Sequence, residues 1–186
     1  MMTGHTSSDT NSARWTQASV ALWILTAFVA MFTVSHYGVT WDERDQMEYA
    51  QEVLQWHGSM YGNSTVLENY NRVYGAFFEI VAQLFASLGL LEVYLARHVV
   101  TVVFGLLGLA YAARIGAYLF GARAGFLSLL ILATTPVYYG HMFNNPKDIP
   151  FAAMTVVALY YLIRSMDALR APSWRALGPL AVTIGL

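Results

Sequence analysis

Cysteine is absent from the chain, and charged residues are scarce. Without cysteine the protein has no disulfide framework and no thiolate metal site, which leaves its redox compartment undetermined. Asp, Glu, Lys and Arg make up 11% of the 186 residues, whereas soluble domains carry about 25%. The net charge of −1 provides no basic surface for nucleic acid. No phosphate-cradling loop, nucleotide fingerprint or metalloprotease motif occurs.

Apolar residues dominate what is present. They account for 57% of the chain, and the mean hydropathy is +0.47. A soluble fold of this length could not bury so much apolar surface, because small domains bury only a limited fraction of theirs. The composition therefore predicts an integral membrane protein, and the pattern of apolar runs predicts an all-α, polytopic membrane helix bundle.

The first apolar run follows a polar start. Residues 1–14 predict a disordered cytoplasmic tail. No Asp, Glu, Lys or Arg occurs from Trp15 to Trp41, and about 20 residues suffice to cross a bilayer, so we predict a first span at about residues 18–40. A cleaved signal peptide is the alternative. Its apolar region is usually about 7–15 residues and precedes a small-residue cleavage site, so the longer run here favours a retained helix.

Two later segments suit the membrane surface better than its interior. Residues 42–57 place apolar and polar side chains on opposite sides of a helix. Residues 74–91 are apolar but include Glu79, which is costly at bilayer depth. Further spans are predicted at about residues 97–120, 124–139 and 150–164, with an incomplete one at 177–186. A helix that ends inside the bilayer leaves carbonyls unpaired, so we expect residues 15–186 to be the N-terminal part of a longer membrane domain.

The arginines predict the orientation of these spans, because positive residues collect on the cytoplasmic side. If the N-terminus is cytoplasmic and residues 74–91 do not cross, six of the nine arginines lie on the cytoplasmic face. The six are Arg14, Arg114, Arg123, Arg164, Arg170 and Arg175. The acidic stretch from Asp42 and the turn at 141–148 then share the other, extracytoplasmic face. We therefore predict a multi-pass protein of the cell membrane.

Asp42 and Glu43 are the first candidates for chemistry. They follow the first span directly, at the predicted membrane surface. A general base must lie within hydrogen-bond reach of the proton that it takes, and a carboxylate at this position could do so for an acceptor from the aqueous side. The structural alternative is a capping box, since Thr40-x-x-Glu43 has that pattern. Both can hold, with Glu43 capping the helix while Asp42 reacts.

The turn at residues 141–148 is the second candidate. It combines His141, Asn144, Asn145, Lys147 and Asp148 in a chain that is otherwise apolar. Lys is a mobile point charge that can contact phosphate. The alternative is an ordinary proline-bounded turn in which Asp148 caps the following helix.

Arg97 and His98 open the second predicted span, where Arg could bind a lipid phosphate or simply extend toward the headgroups. Glu79 and Glu92 are candidate partners for these two cations. The histidines are too scattered in the sequence for their spacing to indicate a metal site.

These stretches, in this order, resemble the N-terminal part of the GT-C superfamily of membrane glycosyltransferases. The nearest group contains the protein O-mannosyltransferases and the lipid A aminoarabinose transferases. The resemblance covers roughly residues 20–165. It rests on Thr40-Trp41-Asp42-Glu43 after the first span, on Arg97 with the run 104–108 behind it, on Thr135-Pro136, and on Asn145-Pro146-Lys147-Asp148-Ile149-Pro150.

The resemblance implies transfer of a sugar from a polyprenyl-phosphate donor to a lipid, glycan or protein acceptor on the extracytoplasmic face. It implies that Asp42 is the catalytic base or anchors the acceptor, and that Glu43 assists by binding the acceptor or a divalent metal ion. Lys147 and Arg97 would hold the donor phosphate, where fixed positive charge stabilises the developing anion. His141, Asn145 and Asp148 would shape the site.

Two other functions fit a membrane helix bundle. A transporter subunit would carry polar residues within several spans, whereas the polar residues here gather at one face. A non-catalytic scaffold or truncated pseudoenzyme would carry the same segments without using Asp42.

Overall fold

The computed structural model describes residues 5–62, 64–167 and 174–185. These residues form eight α-helices, with short 3-10 helices in the connections on either side of the second, and no strand occurs among them. The helices are α1 (His5–Thr33), α2 (Glu43–Gly58), α3 (Phe77–Ala86), α4 (Val93–Phe120), α5 (Ala122–Thr134), α6 (Pro136–Asn144), α7 (Asp148–Asp167) and α8 (Trp174–Gly185). The prediction of an all-helical membrane bundle is confirmed.

Three helices are long and apolar enough to cross a membrane: α1, α4 and α7. The pair α5 and α6 would provide a fourth crossing if both belong to one span, although they meet at an angle of 66°. Helix α3 has ten residues, which is too short for a crossing of about 20 residues. Its length fits the expectation that the segment 74–91 does not span.

Several boundaries differ from those expected. Helix α1 begins at His5, so residues 5–14 are helical rather than a disordered tail, and residues 1–4 lie outside the described part. The predicted span 124–139 is divided at Thr135. The last expected span, 177–186, lies within α8 except for Leu186, which is outside the described residues.

Local chemistry explains the two breaks in the middle of the chain. Gly121 separates α4 from α5 with a φ of +91°, a conformation that residues with a side chain rarely adopt. Thr135 precedes Pro136 and is extended (φ −75°, ψ 112°), because the proline ring disfavours a helical residue before it. Pro136 then occupies the first turn of α6, where its missing N–H costs no hydrogen bond.

The apolar core lies where α1, α4, α5 and α6 meet, and its buried members are Ala30, Val34, Val102, Leu106, Leu109, Leu129, Met142, Phe143 and Ile149. The ring of Tyr37 stacks on Phe143 with a centroid separation of 3.7 Å. The Tyr138 hydroxyl donates to the Gly105 carbonyl at 2.8 Å. This core fixes the turn after α1 against the turn after α6, and thereby positions the polar residues at that end of the bundle.

Candidate functional site

A cavity of about 480 Å³ opens at the end of the bundle where α1 stops and α7 starts. Its walls come from α2, the turn before α3, α3 itself, the α6–α7 turn, α7 and α8. The polar lining residues are Gln46, Asn71, Glu79, Lys147, Thr155 and Thr183, and the remaining wall is mostly aromatic and aliphatic. The volume falls within the range of about 300–1,000 Å³ that is typical of ligand sites.

The acidic corner after α1 and the turn before α7 meet beside this cavity. The Lys147 ammonium lies 3.2 Å from Oδ2 of Asp42. The Thr40 hydroxyl lies within hydrogen-bond distance, 3.3 Å, of the Asn144 carbonyl oxygen. Two segments about a hundred residues apart in sequence therefore form one polar site.

Asp42 is held but not enclosed. Its Oδ1 lies 3.1 Å from the Thr40 hydroxyl oxygen, and its Oδ2 accepts a hydrogen bond from the Gln46 amide nitrogen at 2.9 Å. The Asp42 side chain is 21% exposed. Its carboxylate can therefore be reached from solvent while its orientation is fixed.

Glu43 has different surroundings from its neighbour, because it is only 1% exposed. Its Oε1 accepts from the backbone N–H of Thr40 at 2.7 Å and from the Thr40 hydroxyl at 2.8 Å. Its Oε2 lies 2.7 Å from Nε2 of His98 on α4. The contact with the Thr40 N–H is the one expected of the glutamate in a capping box. Glu43 thus ties the start of α2 to α4, and both of its oxygens are occupied.

Lys147 is surrounded by aromatic rings as well as by Asp42. Its ammonium lies 4.7 Å from the ring centroid of Tyr74 and donates to the Tyr70 hydroxyl at 3.3 Å. Burial alone would lower the pKa of Lys147, but hydrogen bonds with Tyr70 and Asp42 and the charge of Asp42 raise it above its ordinary value. The side chain is 17% exposed, so this cation is accessible to a ligand in the cavity.

Arg97 is separated from the cavity by its partner. It is 2% exposed, its guanidinium pairs with the Glu79 carboxylate, and it is not among the cavity-lining residues. Burial raises the pKa of Glu79, and nearby Asp42 adds to this rise, while Arg97 and Lys147 oppose it. The expected contact between Glu79 and Arg97 is therefore present, whereas Glu92 caps α4 by accepting from the N–H groups of Tyr94 and Leu95.

The residues expected to shape the site form a cluster of their own in the α6–α7 turn. The Asn145 side chain accepts from the backbone N–H of Asp148 at 3.0 Å and donates to the Asp148 carboxylate at 2.9 Å. The same amide nitrogen lies beside Nδ1 of His141. Asn145 therefore caps the start of α7, the role that the sequence assigned to Asp148, and the cluster fixes the backbone beside Lys147.

A divalent cation shared by Asp42 and Glu43 does not fit this arrangement. Both Glu43 oxygens have partners, and a lysine ammonium already lies against Asp42. Among the residues that the structure describes, no group of three or more His, Asp or Glu side chains is placed to hold a metal ion.

Sequence reasoning missed three residues around the site, Gln46, Asn71 and Tyr70, and missed the partner of His98. Gln46 follows Asp42 by four positions on α2, a spacing that places two side chains on one helix face, so this contact was predictable. His98 adjoins Arg97, but nothing in the sequence pairs it with Glu43. Asn71 and Tyr70 come from a turn whose position depends on tertiary packing, and no local pattern indicates them.

The opposite end of the bundle carries a different charge pattern. The guanidinium of Arg114 lies over Tyr111 at 4.7 Å, that of Arg164 over Tyr118 at 5.1 Å, and that of Arg123 over Trp15 at 5.7 Å. These cations are separated from the Asp42–Lys147 site by the length of α4 and α7. The side chains of Arg170 and Arg175 lie outside the described residues.

Comparison with known proteins gives one match. A family model described as dolichyl-phosphate-mannose-protein mannosyltransferase matches residues 73–186. No curated protein and no solved structure matches the chain. The matched segment includes Glu79, Arg97 and Lys147, whereas Asp42 and Glu43 precede it and are connected to it by the contacts described above.

Proposed function

The chain belongs to the dolichyl-phosphate-mannose-protein mannosyltransferase family, a family of GT-C-type membrane glycosyltransferases, and we propose that it transfers a sugar from a polyprenyl-phosphate donor to an acceptor on the extracytoplasmic face of the membrane. The observation that carries the proposal is the 3.2 Å contact between Asp42 and Lys147 beside the cavity. This contact places a carboxylate and a cation within one site, which suits the two ends of a glycosyl transfer.

Asp42 is the proposed general base. In the transfer, the bond between the anomeric carbon and the phosphate oxygen breaks, and a bond from the acceptor oxygen to the same carbon forms. The acceptor hydroxyl must lose its proton, and Asp42 is the partly exposed carboxylate positioned by Thr40 and Gln46 to take it. The hydrogen bond from Gln46 and the contact with Thr40 orient the carboxylate before the acceptor arrives, which lowers the cost of reaching the reactive geometry.

Lys147 is the proposed phosphate ligand. The departing lipid phosphate carries the electron pair of the broken bond, and a positive charge fixed near it stabilises the developing anion. Lys147 lines the cavity and keeps its proton because of its raised pKa. The apolar wall contributed by Val73, Phe77, Phe151 and Met154 suits the prenyl chain of such a donor.

The other expected site residues have supporting positions in this proposal. Glu43, with both oxygens occupied, positions Asp42 by fixing the start of α2. Arg97 orients Glu79 at the cavity wall. The cluster of His141, Asn145 and Asp148 holds the turn that presents Lys147.

The distribution of arginines supports the extracytoplasmic placement. Arg114, Arg123 and Arg164 lie at the end of the bundle away from the site. Positive residues favour the cytoplasmic side, so the Asp42–Lys147 end then faces outward.

The proposal is tested by measuring transfer of a labelled hexose from its polyprenyl-phosphate conjugate in membranes that contain the protein. Asp42→Asn removes the base and nearly preserves shape, and we expect it to lower transfer by about 10²–10⁴-fold. Asp45→Asn, an exposed carboxylate on the same helix, is the matched control and keeps near-normal transfer. Equal transfer by both variants would show that Asp42 is not the base, and no transfer by the wild-type protein would point to a non-catalytic scaffold.

A further inference from the structure

Two buried amide oxygens beside the cavity have no hydrogen-bond donor among the described residues. They are Oε1 of Gln46 and Oδ1 of Asn71. The two residues are 1% and 3% exposed, and both line the cavity that Lys147 lines. A buried acceptor without a donor destabilises the fold, so these oxygens gain from a ligand that donates hydrogen bonds.

The contacts of the two amide nitrogens determine which atom of each side chain is the oxygen. The Gln46 nitrogen donates to Oδ2 of Asp42 at 2.9 Å, and a carboxylate can only accept. The Asn71 nitrogen donates to the backbone carbonyl of Asp45 at 3.4 Å. Reversing either amide would set two acceptors against each other. Each side chain is therefore held with its oxygen directed away from these partners.

The chemistry of the site selects the class of ligand. Unpaired neutral carbonyl oxygens suit hydroxyl donors, and the described residues near the cavity hold no cluster of His, Asp or Glu suited to a metal ion. Gln46 contacts the same Asp42 oxygen that lies against Lys147. A group attached to a phosphate on Lys147 therefore lies next to Gln46.

We propose that Gln46 and Asn71 form a subsite that accepts hydrogen bonds from hydroxyl groups of the transferred sugar. The inference rests on the proposed function, since the sugar is placed by the phosphate at Lys147. Because both residues line the cavity, a sugar held there lies against their side chains. A site that pairs buried acceptors with substrate hydroxyls discriminates strongly against a ligand that lacks those hydroxyls.

The test compares two lipids, dolichyl-phosphate mannose and dolichyl phosphate, bound to the full chain in nanodiscs. Gln46→Met and Asn71→Leu remove the amide groups and roughly keep side-chain size, and Gln46→Met also removes the donor to Asp42. We expect each to weaken binding of the sugar-bearing lipid by about tenfold. We expect Asn71→Leu, which does not contact Asp42 or Lys147, to leave binding of dolichyl phosphate within about twofold, which also shows that this variant is folded.

Gln83→Met is the matched control, because Oε1 of Gln83 is likewise buried without a donor but Gln83 does not line the cavity. We expect it to bind both lipids like the wild type. If Gln46→Met and Asn71→Leu bind dolichyl-phosphate mannose as the wild type does, or if Asn71→Leu loses both lipids equally, the subsite is overturned and the proposed function stands. If the wild-type protein binds neither lipid, the proposed function is overturned and the subsite falls with it.

Discussion

Asp42 and Glu43 are adjacent in sequence, yet their surroundings give them different roles. Asp42 is partly exposed beside Lys147, whereas Glu43 is buried between Thr40 and His98. One acidic pair thus divides into a carboxylate that a substrate can reach and a carboxylate that holds the helix start in place. Of the two alternatives that the sequence left compatible, the contact of Glu43 with the Thr40 N–H is present, and the chemical role of Asp42 stays a proposal.

Replacing His98, the partner of Glu43 on α4, tests the structural role of Glu43. His98→Ala leaves a buried carboxylate without its His98 contact, and a buried polar group left unpaired costs about 1–3 kcal/mol, with a larger cost for a charged one. Unfolding of the purified protein in detergent measures the loss. Glu48→Gln is the control, because it breaks an exposed contact with Arg44 that contributes only about 0.3–0.5 kcal/mol. A His98→Ala variant as stable as Glu48→Gln would contradict the role.

The raised pKa of Lys147 makes a prediction about pH. A lysine whose pKa lies above its ordinary 10.5 stays protonated until the pH passes that value. Its charge therefore contributes fully at lower pH and is lost only above it. We expect the affinity for dolichyl phosphate to stay constant from about pH 7 to 9.5 on this account. The contrary result is an affinity that falls between about pH 7 and 9.5 in the wild-type protein but not in Lys147→Ala. It would show that the pKa of Lys147 is lowered.

At the scale of helices, close contact between α4 and its neighbours depends on glycines. A Cβ added at Gly125 would lie 2.7 Å from the carbonyl oxygen of Ala113 and 2.7 Å from the Cβ of Ala117, both on α4. Backbone and Cβ atoms cannot move aside as a flexible side chain can. The small residue therefore sets the distance between α4 and α5, in agreement with the general use of glycine at membrane helix contacts.

Gly125→Ala should therefore separate α4 from α5 and destabilise the protein by about 1–3 kcal/mol, which is the usual cost of overpacking. Gly140→Ala is the matched control on α6, because no atom lies within 4 Å of the added Cβ. It should leave stability unchanged or raise it by about 0.5–1 kcal/mol through helix propensity. Thermal unfolding of both variants measures the difference, and equal midpoints would contradict the packing argument.

The sequence predicted helices better than it predicted their junctions. Apolar runs long enough to span predicted α1, α4 and α7, because periodicity and length are local properties. The bend of 66° between α5 and α6 was not predicted, although Pro136 marks its position. The bend angle depends on how Tyr138 and Phe143 pack against α4 and Tyr37, and that packing involves residues far away in the sequence.

The charged residues of the site were predictable from the sequence, but most of their contacts were not. Asp42 and Lys147 were identified because acidic and basic residues are conspicuous in an apolar chain. The contact of Glu43 with His98 and the position of Asn71 join residues from separate helices and turns. Such contacts follow from tertiary packing, which no motif encodes. The predicted phosphate role of Arg97 also depended on exposure, and the structure places its guanidinium behind Glu79.

For the whole molecule, the two ends of the bundle differ in charge and in the groups that they present. One end carries the Asp42–Lys147 pair and the cavity, and the other carries Arg114, Arg123 and Arg164 over aromatic rings. Asymmetry of this kind is what the positive-inside tendency produces. The orientation of the molecule in the membrane therefore determines the predicted side of sugar transfer, and one experiment tests both.

The most direct measurement is the sidedness of the site. The chain contains no cysteine, so single cysteines can be introduced at Ser59, which is exposed after α2, and at Arg123, which is exposed at the opposite end. Intact cells are then labelled with a membrane-impermeant thiol reagent. We expect Ser59→Cys to label in intact cells and Arg123→Cys to label only after permeabilisation. The reverse pattern would place the Asp42–Lys147 site in the cytoplasm and contradict extracytoplasmic transfer.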